Sequence, residues 1–490
     1  MPRIFISAAH KSSGKTTVSI GLCAALKQRG KIVQSFKKGP DYIDPYWLAQ
    51  ATGRNCYNLD FYTMGHDEIL SLMQDKSQQA DISLIEGNKG LYDGLDLDGS
   101  NSNAALAALT QTPVILVLNA SGMTRGIAPL ILGYQAFDKD VSIRGVILNR
   151  LGGSRHESKL RSVIEHYTDV EVVGAIHNDN RFNIDERHLG LVPGHEDPFC
   201  EQKISLLAEA VNEQVNLDAV LAIADQVPPL PADKSIAIQI KKHTPDIRLG
   251  LVHCSAFGFY YPDDLQALQD AGAELIAIDP CHDKKLPEID ALFIGGGFPE
   301  THMQALEANV SLRSKIKAAI DTGLPTYAEC GGLMYLARSI AWQHDEHNEK
   351  CNMVGSIDAD IIMEKRPQGR GYVQLQETKD SLWPQLLTPP STQTTDDLAA
   401  ASIINAHEFH YSRFSQDEIN NTVTNNSGKN DDKNVKFAYR VKRGTGIDGK
   451  SDGYVYKNLL ANYTHQRNTR NNPWVERFIA FARSHKNYGK

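Results

Sequence analysis

A glycine, a lysine and three hydroxyl side chains stand together at Ser13-Gly14-Lys15-Thr16-Thr17. Lysine at that spacing reaches β/γ-phosphates, the Thr16 hydroxyl suits Mg²⁺, and the backbone N–H groups of a small-residue loop point inward at a polyphosphate. The full pattern asks for glycine five residues before Gly14, where this chain has Ala9. A plain strand–turn–helix unit is the alternative. The apolar run Ile4-Phe5-Ile6 before the loop and the helix-like residues 18–26 after it favour phosphate, because a helix N-terminus adds partial positive charge.

Three more stretches carry reactive groups. Asp41 and Asp44, preceded by Lys37 and Lys38 and bracketed by Pro40 and Pro45, read as a loop. They suit either Mg²⁺ and a substrate near the γ-phosphate, or only a solvated acidic turn. Glu86 ends the apolar run Ile82-Ser83-Leu84-Ile85 and is placed to give a second Mg²⁺ contact, with Asp93 further along the same loop. Cys330 lies between Thr326-Tyr327-Ala328-Glu329 and Gly331-Gly332, a strand–nucleophile–helix elbow in which the helix N-terminus favours thiolate. Gly295-Gly296-Gly297 follows the apolar strand 291–294 and offers adjacent N–H groups for an oxyanion, or else a flexible turn.

Repeated strand–helix alternation must position these groups. Apolar runs at 32–36, 81–85, 113–119, 143–149 and 170–176 predict a parallel sheet, whose ligands bind at the carboxyl ends of its strands. A helix over 198–211 would close that domain. Pro228-Pro229-Leu230-Pro231 marks a linker over 226–246, giving domains 1–225 and 247–490. Polar, apolar-poor insertions are expected near 389–397 and 420–434.

The bulk properties narrow the class. At 490 residues two or three domains are expected, and the net charge of −8 argues against nucleic acid and anionic membrane surfaces as partners. No apolar run reaches the ~20 residues of a bilayer span. The first strand starts too early to leave room for a signal peptide, so a cytoplasmic location is expected. Seven cysteines, never in CxxC spacing, suit a reducing compartment and give no zinc or disulfide framework.

The run Phe36-Lys37-Lys38-Gly39-Pro40-Asp41-Tyr42-Ile43-Asp44-Pro45, with Thr52-Gly53-Arg54, Asn58-Leu59-Asp60, Ile85-Glu86-Gly87 and Gly90-Leu91-Tyr92-Asp93-Gly94, closely resembles the cobyrinic acid a,c-diamide synthases. The resemblance implies an α/β chain with a P-loop NTPase-like parallel sheet, related to dethiobiotin synthetase, and a class I glutamine amidotransferase-like C-terminal domain. It implies ATP, Mg²⁺ and glutamine as the ammonia donor. The reaction would amidate two acetate side chains of a tetrapyrrole through acyl phosphates.

Residue by residue, the resemblance puts Ser13, Gly14, Lys15, Thr16, Thr17 and Lys37 on ATP. Thr16, Asp44 and Glu86 would hold metal, and Asp41, Asp44 and Glu86 would line the acyl-phosphate site. Tyr42 and Ile43 would touch the ring, and Asp93 would handle ammonia. Cys330 becomes the glutaminase nucleophile with Gly296, Gly297 and Gly331 as oxyanion donors. His465 matches the late family position of the base. His407 and His410, in a further family-like motif assigned to the ring-binding side or domain junction, are second choices. Many class I glutaminases carry Glu two residues after the histidine; here it is Arg467, so the orienting carboxylate lies elsewhere or the site is a Cys–His pair. Gly369-Arg370-Gly371-Tyr372 reads as a family-like turn.

The ring stays open. Tyr46-Trp47-Leu48-Ala49 stands where many cobyrinic acid enzymes carry histidine, and His10-Lys11-Ser12-Ser13 and Lys38 also vary. Sirohaem or (nickel) sirohydrochlorin is therefore the alternative acceptor. A nucleotide switch with an inactive glutaminase, and a pure glutaminase, are the rival classes. A homodimer is left open.

Overall fold

A computed structural model describes residues 1–182, 184, 186–187, 190–191, 194, 196–231, 243–343, 348–385, 403–415 and 435–486. The chain divides into two compact units, Met1–Ile238 and Gln239–Lys490. Residues 232–242 of the expected linker, and both expected insertions, lie outside the described residues.

In the first unit β1 (Arg3–Ala8), β2 (Val33–Lys38), β3 (Tyr57–Leu59), β4 (Ile82–Glu86), β5 (Val114–Asn119), β6 (Ile143–Leu151) and β7 (Glu171–His177) form one sheet in the order β3-β2-β4-β1-β5-β6-β7. Every pairing is parallel. All residues of β1, β2 and β4 are buried, as a parallel sheet covered on both faces requires. Helices α1 (Lys15–Gln28), α2 (Ile43–Thr52), α3 (His66–Lys76), α4 (Asn103–Leu109), α5 (Ile127–Phe137), α6 (Ser154–Tyr167), α7 (Cys200–Gln214) and α8 (Leu217–Asp225) alternate with or follow the strands. The two-residue strands β8 (Glu186–Arg187) and β9 (Gly190–Leu191) pair between β7 and α7. The expected last helix is thus followed by another, α8, begun by the Asn216 side chain accepting from Ala219 N.

One local expectation fails. Asp41 and Asp44 do not share a loop, because Asp44 and Pro45 lie in the first turn of α2. Asp41 Oδ1 accepts from the N–H groups of Ile43 and Asp44, and proline in a first turn forfeits no helical bond. The Asp-Pro signal marks a helix start.

The second unit is built on a nine-stranded sheet. Its strands are β10 (Ile247–Val252), β12 (Ala273–Ile278), β13 (Ala291–Ile294), β15 (Thr326–Glu329), β19 (Gly369–Glu377), β20 (Ile403–His410), β22 (Lys436–Arg443), β23 (Ser451–Tyr456) and β24 (Leu459–Asn462). Their order is β12-β10-β13-β15-β24-β23-β22-β19-β20, parallel from β12 to β24 and antiparallel beyond. The short strands β11 (Phe257–Phe259) and β14 (Gly296–Gly297) pair with each other. A smaller sheet joins β16 (Ala337–Trp342), β17 (Glu349–Asn352), β18 (Ile357–Met363) and β21 (Ser412–Phe414). Helices α9 (Pro262–Asp270), α10 (Met303–Ala308), α11 (Val310–Asp321), α12 (Gly331–Leu336) and α13 (Trp474–His485) complete the unit. Gly369-Arg370-Gly371-Tyr372 is strand, not turn. A Cβ on Gly369 would lie 2.1 Å from His410 Nε2, so the buried His410 ring packed over this position leaves no room for a side chain.

Candidate functional site

Two clusters form, one in each unit. In the first, β1 delivers the loop 9–14 to the N-terminus of α1. Gly14 caps that helix at φ 89° and no side chain caps it, so its first N–H groups face outward for an anion. Asn149, at the end of β6, holds the loop by donating to Ser13 O at 2.9 Å; a Cβ on Gly14 would collide with that amide at 2.2 Å. Thr17 Oγ1 donates to Gly14 O at 3.0 Å.

Adjacent strands then bring the acidic groups to Thr16. Its hydroxyl donates to Glu86 Oε1 at 2.7 Å and lies 3.3 Å from Asp44 Oδ2. Lys37 Nζ is 2.5 Å from Asp44 Oδ2, 2.8 Å from Glu86 Oε1 and 3.8 Å from Asp41 Oδ2. Burial alone would lower Lys37, but the three carboxylates outweigh it and hold the ammonium well above its usual range. Burial raises Glu86, and burial with the Asp44 charge pushes Asp41 up to about 7. Lys15, buried and near Lys37, is pulled down to about 8. Asp93, on an exposed loop, accepts from Gly90 N at 2.9 Å, and its charge acts on Lys15. Tyr42 is half-buried at the start of α2 and Ile43 is 8% exposed, so Tyr42 presents more surface to a ligand than Ile43.

The donor set fits Mg²⁺. Thr16, Asp44 and Glu86 supply only hard oxygens, and Glu86 Oε2 is buried without a hydrogen-bond partner among the described residues. Such an orphan acceptor is a cost that a cation would remove.

In the second unit Cys330 sits at φ 48°, ψ −103°, between β15 and α12. Positive φ at a non-glycine residue is strain of the kind found at nucleophile elbows. Cys330 N donates to Asn462 O at 2.7 Å, pinning the turn to β24. Beside it, a Cβ on Gly331 would lie 3.0 Å from Gly297 N, and one on Gly296 would lie 2.5 Å from His465 Cε1 and 3.3 Å from Nε2. The expected oxyanion glycines, the cysteine turn and His465 therefore meet. Gly296 and Gly297 are ordered by pairing with Phe259 and Phe257, not a flexible turn. Burial first, then Glu300, pushes the Cys330 thiol well up, while a bond from Gly331 N–H works the other way. A thiol so held needs a base to ionise it.

His465 Nδ1 is 3.3 Å from Glu329 Oε2, and both side chains are buried. Glu329 Oε1 is fixed in turn by Tyr327 OH at 2.6 Å and Gln466 N at 2.9 Å. A carboxylate on Nδ1 selects the tautomer whose Nε2 accepts a proton. Sequence reasoning left the third member unnamed, yet it is the residue immediately before Cys330. Arg467, two residues after His465, is occupied elsewhere: it pairs with Asp263 at 2.7 Å and lies 4.6 Å above the Tyr261 ring.

The two second-choice histidines lie on β20 at the flank of this site, where Cys330 Sγ is 4.0 Å from Phe409 O. The His407 ring stacks on His465 at 5.0 Å, and burial, His465 and Arg467 hold it well below the usual imidazole range, favouring its neutral form. His410 stacks on Tyr463 at 4.0 Å with Nδ1 bonded to Ser412 O.

A nucleotide loop with an acidic centre, joined in one chain to a cysteine–histidine–glutamate elbow, defines an ATP-dependent glutamine amidotransferase. Family models agree: residues 4–192 match the CobQ/CobB/MinD/ParA nucleotide binding domain and residues 248–473 the CobB/CobQ-like glutamine amidotransferase domain. The cofactors consistent with these domains are ATP with Mg²⁺, and glutamine. The chain is 40% identical over 471 residues to the cobyrinate a,c-diamide synthase of Magnetococcus marinus, covering 95% of this chain and 94% of that one. It is 39% identical to that of Methanosarcina acetivorans (95% and 92% covered) and 37% identical to that of Archaeoglobus fulgidus (99% and 98% covered). The chain belongs to the cobyrinate a,c-diamide synthase family. No helix among the described residues is long and apolar enough to cross a membrane.

Proposed function

We propose that the protein amidates the a and c acetate carboxylates of a cobyrinate-type tetrapyrrole, using glutamine nitrogen and ATP. The observation that carries this reading is the presence in one chain of both half-sites, the Thr16–Asp44–Glu86 centre beside Lys15 and the Cys330–His465–Glu329 elbow. A pure glutaminase has no use for the first, and a nucleotide switch has none for the second.

In the glutaminase, His465 Nε2 takes the Cys330 proton and Sγ attacks the glutamine side-chain amide. N–H groups from Gly296, Gly297 and Gly331 receive the oxyanion, and Glu329 holds the imidazole and stabilises its charged form. His465 returns the proton to the nitrogen as the C–N bond breaks, ammonia leaves, and water hydrolyses the thioester to glutamate and the free thiol. In the first unit a free carboxylate is a poor electrophile until it carries phosphate. When bound, Mg²⁺ would offset charge on the transferring phosphoryl group. Thr16, Asp44 and Glu86 would hold it, Lys15 would face the phosphates, and Lys37 would keep the carboxylates from repelling them. Asp41 and Tyr42 would line the acceptor side, and Asp93 would meet incoming ammonia.

The ring is tested by offering purified protein cobyrinic acid, sirohydrochlorin and sirohaem in parallel, with ATP, Mg²⁺ and glutamine. Each amidation exchanges OH for NH₂ and lightens the acceptor by about 1 Da, so two amidations are read directly by mass spectrometry. A shift of two such steps on cobyrinic acid alone supports the reading. A shift on sirohaem or sirohydrochlorin alone replaces the acceptor, and none on any ring, with glutamine still hydrolysed, overturns the synthetase half.

A further inference from the structure

Cys254 and Cys281 are 27 residues apart in sequence, yet their Sγ atoms lie 4.0 Å from each other. The topology brings them together: β10 and β12 run parallel with Val252 opposite Ile278, and each cysteine follows its strand's end. An Asp279 carboxylate oxygen joins them, all three ligand atoms falling within 4.8 Å of one another. In tetrahedral zinc coordination with Zn–S near 2.3 Å, two thiolates stand about 3.8 Å apart. The observed spacing needs almost no adjustment.

The surroundings fit a thiolate-rich centre. Ala256 N–H donates to Cys254 Sγ at 3.3 Å, a contact that supports a charged sulfur. Asp279 is oriented by Cys281 N at 2.8 Å from Oδ1 and by His282 Nδ1 at 2.8 Å from Oδ2, which leaves further lone pairs on each oxygen. All three residues are half-buried, so an ion has a path in and water has a place on it.

We propose that Cys254, Asp279 and Cys281 bind one zinc-class divalent ion, with water as fourth ligand. Both thiols release their protons on binding. The ion would clip the ends of β10 and β12 and fix the turn 254–257. Phe257 of that turn pairs with Gly297, and Ala256 O accepts from Phe298 N at 3.0 Å. A structural ion here would therefore hold the strand that carries the oxyanion glycines. The site stands independently of the proposed amidation.

The test uses full-length protein carrying Cys330→Ser, so that the elbow thiol contributes nothing, stripped by chelator under reducing conditions. Titration with Co²⁺ should give one equivalent per chain with thiolate-to-cobalt charge-transfer absorption, displaced by Zn²⁺. Adding Cys254→Ser or Cys281→Ser should abolish the absorption, and adding Cys351→Ser should leave it intact. Without any further substitution, bound Zn²⁺ should protect Cys254 and Cys281, and not Cys200, from alkylation mapped by peptide mass spectrometry. Absence of the charge-transfer band, or a band indifferent to both substitutions, would overturn the site. So would formation of a Cys254–Cys281 disulfide with glutathione disulfide in protein that takes up no metal when reduced.

Discussion

Replacing Glu329 by glutamine exchanges one oxygen for NH₂, and the surroundings dictate which one. Oε1 accepts from both Tyr327 OH and Gln466 N, two donors that an NH₂ group could not satisfy. The amide oxygen must keep that side, which turns the NH₂ toward His465 Nδ1. A donor there forces the proton onto Nε2, and the imidazole can no longer take one from Cys330. The geometry of the elbow survives because both buried hydrogen bonds survive, so stability should change by less than about 1 kcal/mol. Catalysis should not survive. Loss of the correct tautomer in a comparable triad lowers turnover about 10⁴-fold, some 5 kcal/mol of transition-state stabilisation. We expect glutamate release by Glu329→Gln to fall by ~10³ to 10⁴-fold in kcat with little change in KM. Amidation driven by ammonium chloride should persist. Glutaminase turnover within about tenfold of the parent protein would refute the reasoning and leave a Cys–His pair working unaided.

Three further outcomes follow from the same geometry. Gly296→Ala places a methyl 2.5 Å from His465 Cε1, so glutamine-dependent turnover should drop at least ~100-fold while the ammonium-driven rate is kept, measured side by side. Lys15→Met should abolish nucleotide binding and raise the ligand-free melting temperature at pH 7. Burial lowers this lysine to about 8, so its charge costs stability, up to about 3 kcal/mol, below that pH, and the gain should fade as pH climbs toward its unfolded value. Asp41, raised to about 7, works oppositely. The folded state favours its protonated form, so stability should decline as pH rises from about 4 through 7, and Asp41→Asn should flatten that slope in urea midpoints taken across the range.

The α/β pattern and the cysteine elbow were legible because each rests on local signals: buried apolar strands, a small-residue loop, glycines after a nucleophile. Lys15 and Thr16 were singled out by the loop-to-helix motif and Glu86 by its place at a strand end, and the parallel sheet brings Thr16 and Glu86 together. The start of α2 was misread because Asp-Pro serves turns and helix N-termini alike, and only the bonds that Asp41 accepts from the Ile43 and Asp44 amides decide. Glu329 escaped notice for a different reason. It was sought at a fixed spacing from the histidine, whereas β15 and β24 lie side by side and bring residue 329 to residue 465 across the sheet. The same applies to Cys254 and Cys281, whose nearness belongs to strand pairing and leaves no CxxC trace. His407 was held as a second-choice base because its motif gives no register, and only the bridge between residues 407 and 465 shows it stacked on His465 rather than in its place.

The central claim is that nitrogen freed at Cys330 reaches a carboxylate activated beside Lys15. Glutamine labelled with ¹⁵N in its side-chain amide, supplied with ATP, Mg²⁺ and the accepted tetrapyrrole in the presence of unlabelled ammonium, tests it directly. Two ¹⁵N atoms in the product, absent without ATP and lost in Cys330→Ser, are the predicted result. Product carrying only unlabelled nitrogen, or labelled product formed without ATP, would contradict it.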